Sequence, residues 1–171
     1  MKWMKTISWI CLPLIAVIIG SCDTEPVFSP NPKIAFIDIQ PREVVQLRDS
    51  ILITFRFQDG DGDLGRDPNS DNPNDNSNLI LLDSRFGEGR ITELQASNVY
   101  TLPNLTPQAR NPSIQGEITI NLPPTAIIPP RFGDDSVRYQ IKLYDRAGNL
   151  ATPIDGSEGA IYTDYIKILR N

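Results

Sequence analysis

Alternation of apolar and polar positions is the dominant pattern of this chain. Ile51, Ile53, Phe55 and Phe57 alternate with Leu52, Thr54, Arg56 and Gln58. Ile114, Ile118, Ile120 and Leu122 alternate with Gln115, Glu117, Thr119 and Asn121, and Val137, Tyr139, Ile141 and Leu143 with Arg138, Gln140, Lys142 and Tyr144. A period of two is the signature of a strand with one buried and one wet face. Less regular strands are expected at 33–39, 79–85, 91–101 and 161–169, and no segment carries a helical stripe. Labelled A (33–39), B (50–58), C (79–85), D (91–101), E (113–122), F (136–145) and G (161–169), these runs are separated by Pro, Gly, Asn and Asp clusters. The pattern predicts an all-β fold, an immunoglobulin-like antiparallel β-sandwich of about seven strands over residues 33–171.

The first 22 residues follow another rule. Lys2 and Lys5 precede an almost wholly apolar run from Ile7 to Gly20. That run is too short for a spanning helix, which needs roughly 20 residues, and has the proportions of a signal-peptide core. It ends in Ile19-Gly20-Ser21-Cys22, which resembles a lipobox: a branched aliphatic residue, two small ones, then Cys. Residues 1–21 are therefore expected to be a lipoprotein signal peptide and Cys22 the lipidation site, carrying diacylglycerol and palmitate-type acyl chains. Each buried methylene of such chains contributes about 0.8 kcal/mol to membrane attachment. Residues 22–32, with Pro26, Pro30 and Pro32, read as a lipidated flexible tether.

Composition then narrows the chemistry. The 171 residues include no His and two Cys. Cys11 falls in the removed segment and Cys22 becomes a thioether, so the folded part holds no thiol and no disulfide. Catalysis by Ser-His-Asp or Cys-His devices, and imidazole ligation, are ruled out. Removal of Lys2 and Lys5 shifts the formal charge from −5 to −7. No basic stretch offers phosphate neutralisation, so nucleic acid is not expected as a partner.

The acidic excess is concentrated after strand B, in Asp59-Gly60-Asp61-Gly62-Asp63-Leu64-Gly65. Between Asp59 and Asp75 six Asp face one Arg. Carboxylates two apart with Gly between them are how hard-cation loops present oxygen ligands. The loop is not an EF-hand: with Asp59 at position 1, Leu64 occupies position 6, where Gly is required, and Ser70 occupies position 12, where Glu belongs. Asp, Asn and Gly are equally the residues of solvated turns. A second motif, Asp145-Arg146-Ala147-Gly148-Asn149, leaves strand F; it also reads as a structural turn in which Gly148 supplies a positive φ and Asp145 and Asn149 bond to turn amides. By parity Asp59 continues the inward series of strand B and Asp145 that of strand F. The B–C and F–G connections share one end of such a sandwich, so the two carboxylates should converge at the rim of the core. Converging carboxylates need a cation, a proton or an Arg. The cation version takes Ca²⁺ on Asp59, Asp61, Asp63, Asp145 and Asn149; the salt-bridge version takes Arg66 or Arg146.

In motif order the mature domain, from Ile34 to Leu169, resembles small lipoproteins of the Bacteroidota that carry Asp-Gly-Asp-Gly-Asp-Leu-Gly early and an Asp-x-Ala-Gly-Asn turn late. The resemblance implies a fold and a location but no activity. In that phylum acidic residues after the lipidated Cys, here Asp23 and Glu25, are associated with outer-membrane and surface export, so an outer-membrane lipid anchor is expected. Asp49-Ser50-Ile51 and Asp135-Ser136-Val137 look like the phylum's O-glycosylation triplet, at Ser50 and Ser136; both also read as ordinary strand starts. Asn104-Leu105-Thr106 matches a sequon of another kingdom and carries no weight.

The function expected on these grounds is a membrane-anchored, non-enzymatic binding or accessory domain of the cell envelope. Its partner would be the membrane, through the lipid, and an unidentified envelope protein or glycan. Aromatic side chains for stacking on a sugar are few near the loops: Phe86, Tyr100 and Phe132. The alternatives are a metal-free structural subunit of an outer-membrane complex, and a hydrolase using paired carboxylates. Exposed aspartates on a Gly-rich loop lack the apolar pocket that a hydrolase needs to split two carboxyl pKa values.

Overall fold

The computed structural model describes residues 27–66, 78–87, 90–93, 98–106, 113–128 and 135–171. These form eleven strands: β1 (Lys33–Gln40), β2 (Glu43–Val45), β3 (Ile51–Asp59), β4 (Leu79–Gly87), β5 (Arg90–Glu93), β6 (Asn98–Tyr100), β7 (Ile114–Leu122), β8 (Asp135–Leu143), β9 (Thr152–Pro153), β10 (Ile161–Tyr162) and β11 (Ile166–Leu169). One sheet has the order β7-β3-β1-β9; the other has β2-β11-β8-β4-β5, with β10 on β8 and β6 on β4. Among the main strands, E-B-A lie side by side in one sheet and G-F-C in the other, the neighbour order of an immunoglobulin-type sandwich. Among the described residues no helix is long and apolar enough to cross a membrane.

The alternating runs bury what their parity requires. Ile51, Ile53, Phe55 and Phe57 of β3 face Val137, Tyr139, Ile141 and Leu143 of β8 across the interior, all buried. Each such side chain contributes about 1.5–3 kcal/mol when fully removed from water. β3 pairs with β7 from Ile51↔Leu122 to Asp59↔Ile114, and with β1 from Lys33↔Gln58 to Gln40↔Leu52. After β1 the chain passes to the other sheet, where β2 runs parallel to β11, with Val44 opposite Ile168.

Three expectations change. The single strand expected at 91–101 is two short strands, β5 and β6, both hydrogen-bonded to β4. Its sequence has no continuous alternation to sustain one ladder. The strand expected at 161–169 is split as well. The Thr163 hydroxyl accepts the Tyr139 amide at 3.0 Å, taking the place of a ladder carbonyl. Pairing resumes at Ile166↔Val137. Lastly, the described part of the expected tether, 27–32, is not free. Ser29 carbonyl accepts the Gly60 amide (2.8 Å), Pro32 carbonyl accepts the Thr152 amide (3.1 Å), and Pro32 is buried. The expected signal peptide 1–21, the expected lipidation site Cys22 and the expected tether up to residue 26 lie outside the described residues.

Candidate metal centre

β3 delivers the first carboxylate. Asp59 is its last residue and keeps the inward parity of Phe55 and Phe57, so the side chain is fully buried at the sandwich rim. The chain then curls. Gly62 (φ 67°) and Gly65 (φ 86°) both sit in left-handed backbone. Gly65 also lies so close to Pro103 that a Cβ would come within 1.9 Å of its carbonyl oxygen. Between them Leu64 turns inward and is fully buried, anchoring the loop in the core. The Gly62 carbonyl accepts the Thr106 hydroxyl at 2.9 Å, and Arg66 amide donates to Leu102 carbonyl at 2.9 Å. Residues 67–77, with the rest of the acidic stretch, lie outside the described residues.

This curl brings Asp59, Asp61 and Asp63 into one group: one carboxylate oxygen of each lies within 4.8 Å of the others. Two oxygens on opposite sides of a Ca²⁺, each at 2.3–2.6 Å, are about that far apart. Neither oxygen of Asp59 has a hydrogen-bond partner, and Oδ1 of Asp63 is likewise buried and unpartnered. Burial, then the charges of Asp61 and Asp63, push the Asp59 carboxyl up to about 7. The Leu64 amide, short of hydrogen-bonding geometry with it, offsets part of this, and Asp145 adds to the rise. Asp63 is also pushed up by burial and by the charges of Asp145 and Asp61, and is eased by the Ala147 amide and by Arg146.

The F–G turn closes the site from the other sheet. Asp63 Oδ2 accepts the Ala147 amide at 3.2 Å and Asp63 carbonyl accepts the Arg146 amide at 3.3 Å, so the two loops are bonded together. Asp145 is buried beside them, as its parity requires. Both of its oxygens are engaged by Asn149, which donates its backbone amide to Oδ1 and its side-chain amide to Oδ2, each at 2.7 Å. Asp145 therefore borders the three-aspartate group, while Asn149 turns its amide group toward Asp145. For the salt-bridge version, Arg146 Nη2 reaches the Gly62 carbonyl at 3.5 Å. Among the described residues no ion pair joins Arg66 or Arg146 to these aspartates.

Other sequence candidates fall elsewhere. Asp49 accepts the Val45 amide (2.8 Å) and pairs with Arg48, and Asp135 pairs with Arg85. The acids of both expected glycosylation triplets thus have structural partners. Ser50 is half-buried just before β3, and half-buried Ser136 lies within β8 between β4 and β11. Thr106, of the disregarded sequon, supports Gly62. Tyr100 lines an apolar cleft of about 400 Å³ with Leu79, Leu102 and Ile120, and this cleft does not border Asp59. Phe132 and the side chain of Phe86 lie outside the described residues.

Sequence reasoning missed a second charged cluster at the opposite end of the sandwich. Asp83 and Arg85 continue the inward series of Leu79 and Leu81 on β4 and are buried opposite Tyr139 and Val137. Arg85 donates to Asp83 at 2.9 Å and to Asp135 at 3.2 Å, and also to the Ile128 carbonyl. Burial lifts the Asp83 carboxyl even so. The same parity that located Asp59 would have found this pair.

Comparison with family models and with curated proteins yields no match. Among solved structures the chain is similar to Spo0M, a sporulation control protein from Bacillus subtilis, at 12% identity and a TM-score of 0.33. The likeness covers 82% of this chain and 49% of that one, so the chain spans about half the length of Spo0M. At that level it bears on neither fold nor function.

Proposed function

We propose that this is a lipid-anchored, non-enzymatic accessory domain of the cell envelope whose B–C and F–G loops are held together by Ca²⁺. The observation that carries the metal is Asp59: a fully buried carboxylate with no hydrogen-bond partner, aimed into two further carboxylates. A buried carboxylate must be neutralised by a proton, a cation or an Arg. No described Arg pairs with it, and the oxygen spacing suits calcium. Asp59, Asp61 and Asp63 are the ligands, with Asp145 adjoining and Asn149 acting through Asp145. Calcium replaces the mutual repulsion of the three charges with a common attraction. It thereby fixes the loop end as a rigid surface for an envelope protein or glycan.

The anchor rests on the signal-peptide pattern and Cys22, and the outer membrane on Asp23 and Glu25 in a chain resembling Bacteroidota lipoproteins. An accessory role rather than catalysis is favoured by the lack of His and of a thiol in the mature chain. Two measurements test the reading. Titration of the protein with Ca²⁺ should give a saturable heat change by calorimetry and raise the melting temperature; neither effect at millimolar calcium would sink the metal. Labelled palmitate should enter the wild type and not Cys22→Ser, and equal incorporation would sink the anchor.

A further inference from the structure

Gly60, between the first two aspartates of the group, is shaped by the segment before β1. A Cβ at this position would lie 2.4 Å from the Phe28 carbonyl oxygen and 2.6 Å from that of Ser29. The close approach is used: Gly60 amide donates to Ser29 carbonyl at 2.8 Å. The segment is otherwise lightly held at this point. Val27 is 95% exposed, Phe28 is half-buried, and among the described residues the Asn31 amide bonds to the Ser29 hydroxyl of its own turn, at 3.2 Å. The next attachment to the sandwich is Pro32 carbonyl on the Thr152 amide.

The two halves of the acidic loop are anchored unequally. Residues 62–66 are held by buried Leu64, by Gly65 against Pro103 and by the Arg66–Leu102 bond. Residues 59–61 hold an unpartnered carboxylate, an exposed Asp61 and the glycine that carries Ser29. Like charges on Asp59, Asp61 and Asp63 push Asp61 outward and Gly60 with it; a cation between them draws both in.

We propose that the cation site also clamps the segment 27–31: with a divalent cation on Asp59, Asp61 and Asp63 the segment is fixed on Gly60, and without it the segment is released. The proposal rests on the calcium reading above. Pro32 stays on Thr152, so the three residues 29–31 freed from the loop give the sandwich up to about 10 Å of extra reach from whatever holds its N-terminal side, at 3.3–3.6 Å per extended residue. The cation would thereby set the stand-off and orientation of the domain.

Chymotrypsin cleavage after Phe28 reads the clamp directly. Full-length protein in detergent is digested in excess Ca²⁺ and in chelator, with cleavage after exposed Tyr165, remote from the loop, reporting general stability. Relative to Tyr165, calcium should slow the Phe28 cut about fivefold or more, the lower end of site-to-site coupling. In Gly60→Ala the Phe28 cut should be fast in both conditions. Reciprocity requires its calcium affinity, read by calorimetry, to fall by the factor of protection lost. If wild type binds calcium yet loses Phe28 at one rate throughout, the clamp is overturned and the metal site stands. If calcium gives wild type neither a heat of binding nor a higher melting temperature, both fail. Should Gly60→Ala not fold, the wild-type comparison decides by itself.

Discussion

Replacing Asp59 by Asn should reverse the order of stability between two buffers. In wild type without divalent ions at pH 8, the carboxylate is ionised although its folded-state value is about 7, against 3.8 when unperturbed. The gap of about three pH units corresponds to roughly 4 kcal/mol of destabilisation. The Asp59→Asn side chain keeps the shape and loses the charge, at the cost of a buried amide with unmet hydrogen bonds, about 1–3 kcal/mol. The net expectation in chelator is a variant more stable by about 1–3 kcal/mol. At roughly 2–4 °C per kcal/mol for a chain of this size, its melting temperature rises by about 2–12 °C. Near pH 4 the wild-type carboxyl is neutral and the advantage vanishes. Calcium at a thousandfold its dissociation constant adds about 4.1 kcal/mol to wild type, and little to the variant, so wild type becomes the more stable. Thermal melts followed by circular dichroism, in chelator and in calcium at pH 8, contain the whole test. A variant less stable than wild type in chelator would mean that the protein itself satisfies the charge of Asp59, and the reasoning would fall. Equal stabilisation of both by calcium would remove Asp59 from the ligand set.

Three other outcomes follow from the same geometry. Asp59 has a folded-state value raised to about 7, so its stabilising contribution is complete below about pH 4 and is lost as pH rises through about 7, and Asp63, also raised, acts in the same direction; urea melts of the metal-free protein should show stability falling across that window, and calcium should flatten the fall. Arg85→Met leaves Asp83 and Asp135 facing each other without their cation and should cost about 3–5 kcal/mol by urea denaturation, much of it recovered when Asp83→Leu is added. Leu64→Ala removes the plug of the acidic loop and should cost about 2–5 kcal/mol, with calorimetry showing weaker calcium binding because the loop is no longer positioned.

Parity made much of this protein legible. Period-two alternation places β3, β7 and β8 and gives Asp59 and Asp145 their inward direction. The same rule was not carried into β4, where Asp83 and Arg85 break the apolar run while keeping its phase. Strand splitting was out of reach because it depends on long-range substitutions, such as Thr163 standing in for a ladder carbonyl on Tyr139. The turn role of Asp145, accepting a backbone amide ahead of Gly148, was legible; that Asn149 spends its side-chain amide on Asp145 was hidden, because a turn residue and a ligand have the same composition. Nor does sequence spacing show that Gly60 serves Ser29, thirty-one positions away, as well as the curl of its own loop.

The parallel pairing of β2 with β11 has a mechanical meaning. β2 lies near the N-terminal side of the domain and β11 near its C-terminal side, joined by Gln46 amide to Leu169 carbonyl (2.9 Å) and Lys167 amide to Arg42 carbonyl (2.8 Å). Tension between the segment before β1 and the segment after β11 pulls these two strands in opposite directions along their common axis. Bonds perpendicular to such a pull are strained together, in shear, instead of opening one after another as in a zipper. A domain held at one side and tugged at the other therefore resists as a unit, and β2, three residues long, is the latch through which that resistance passes.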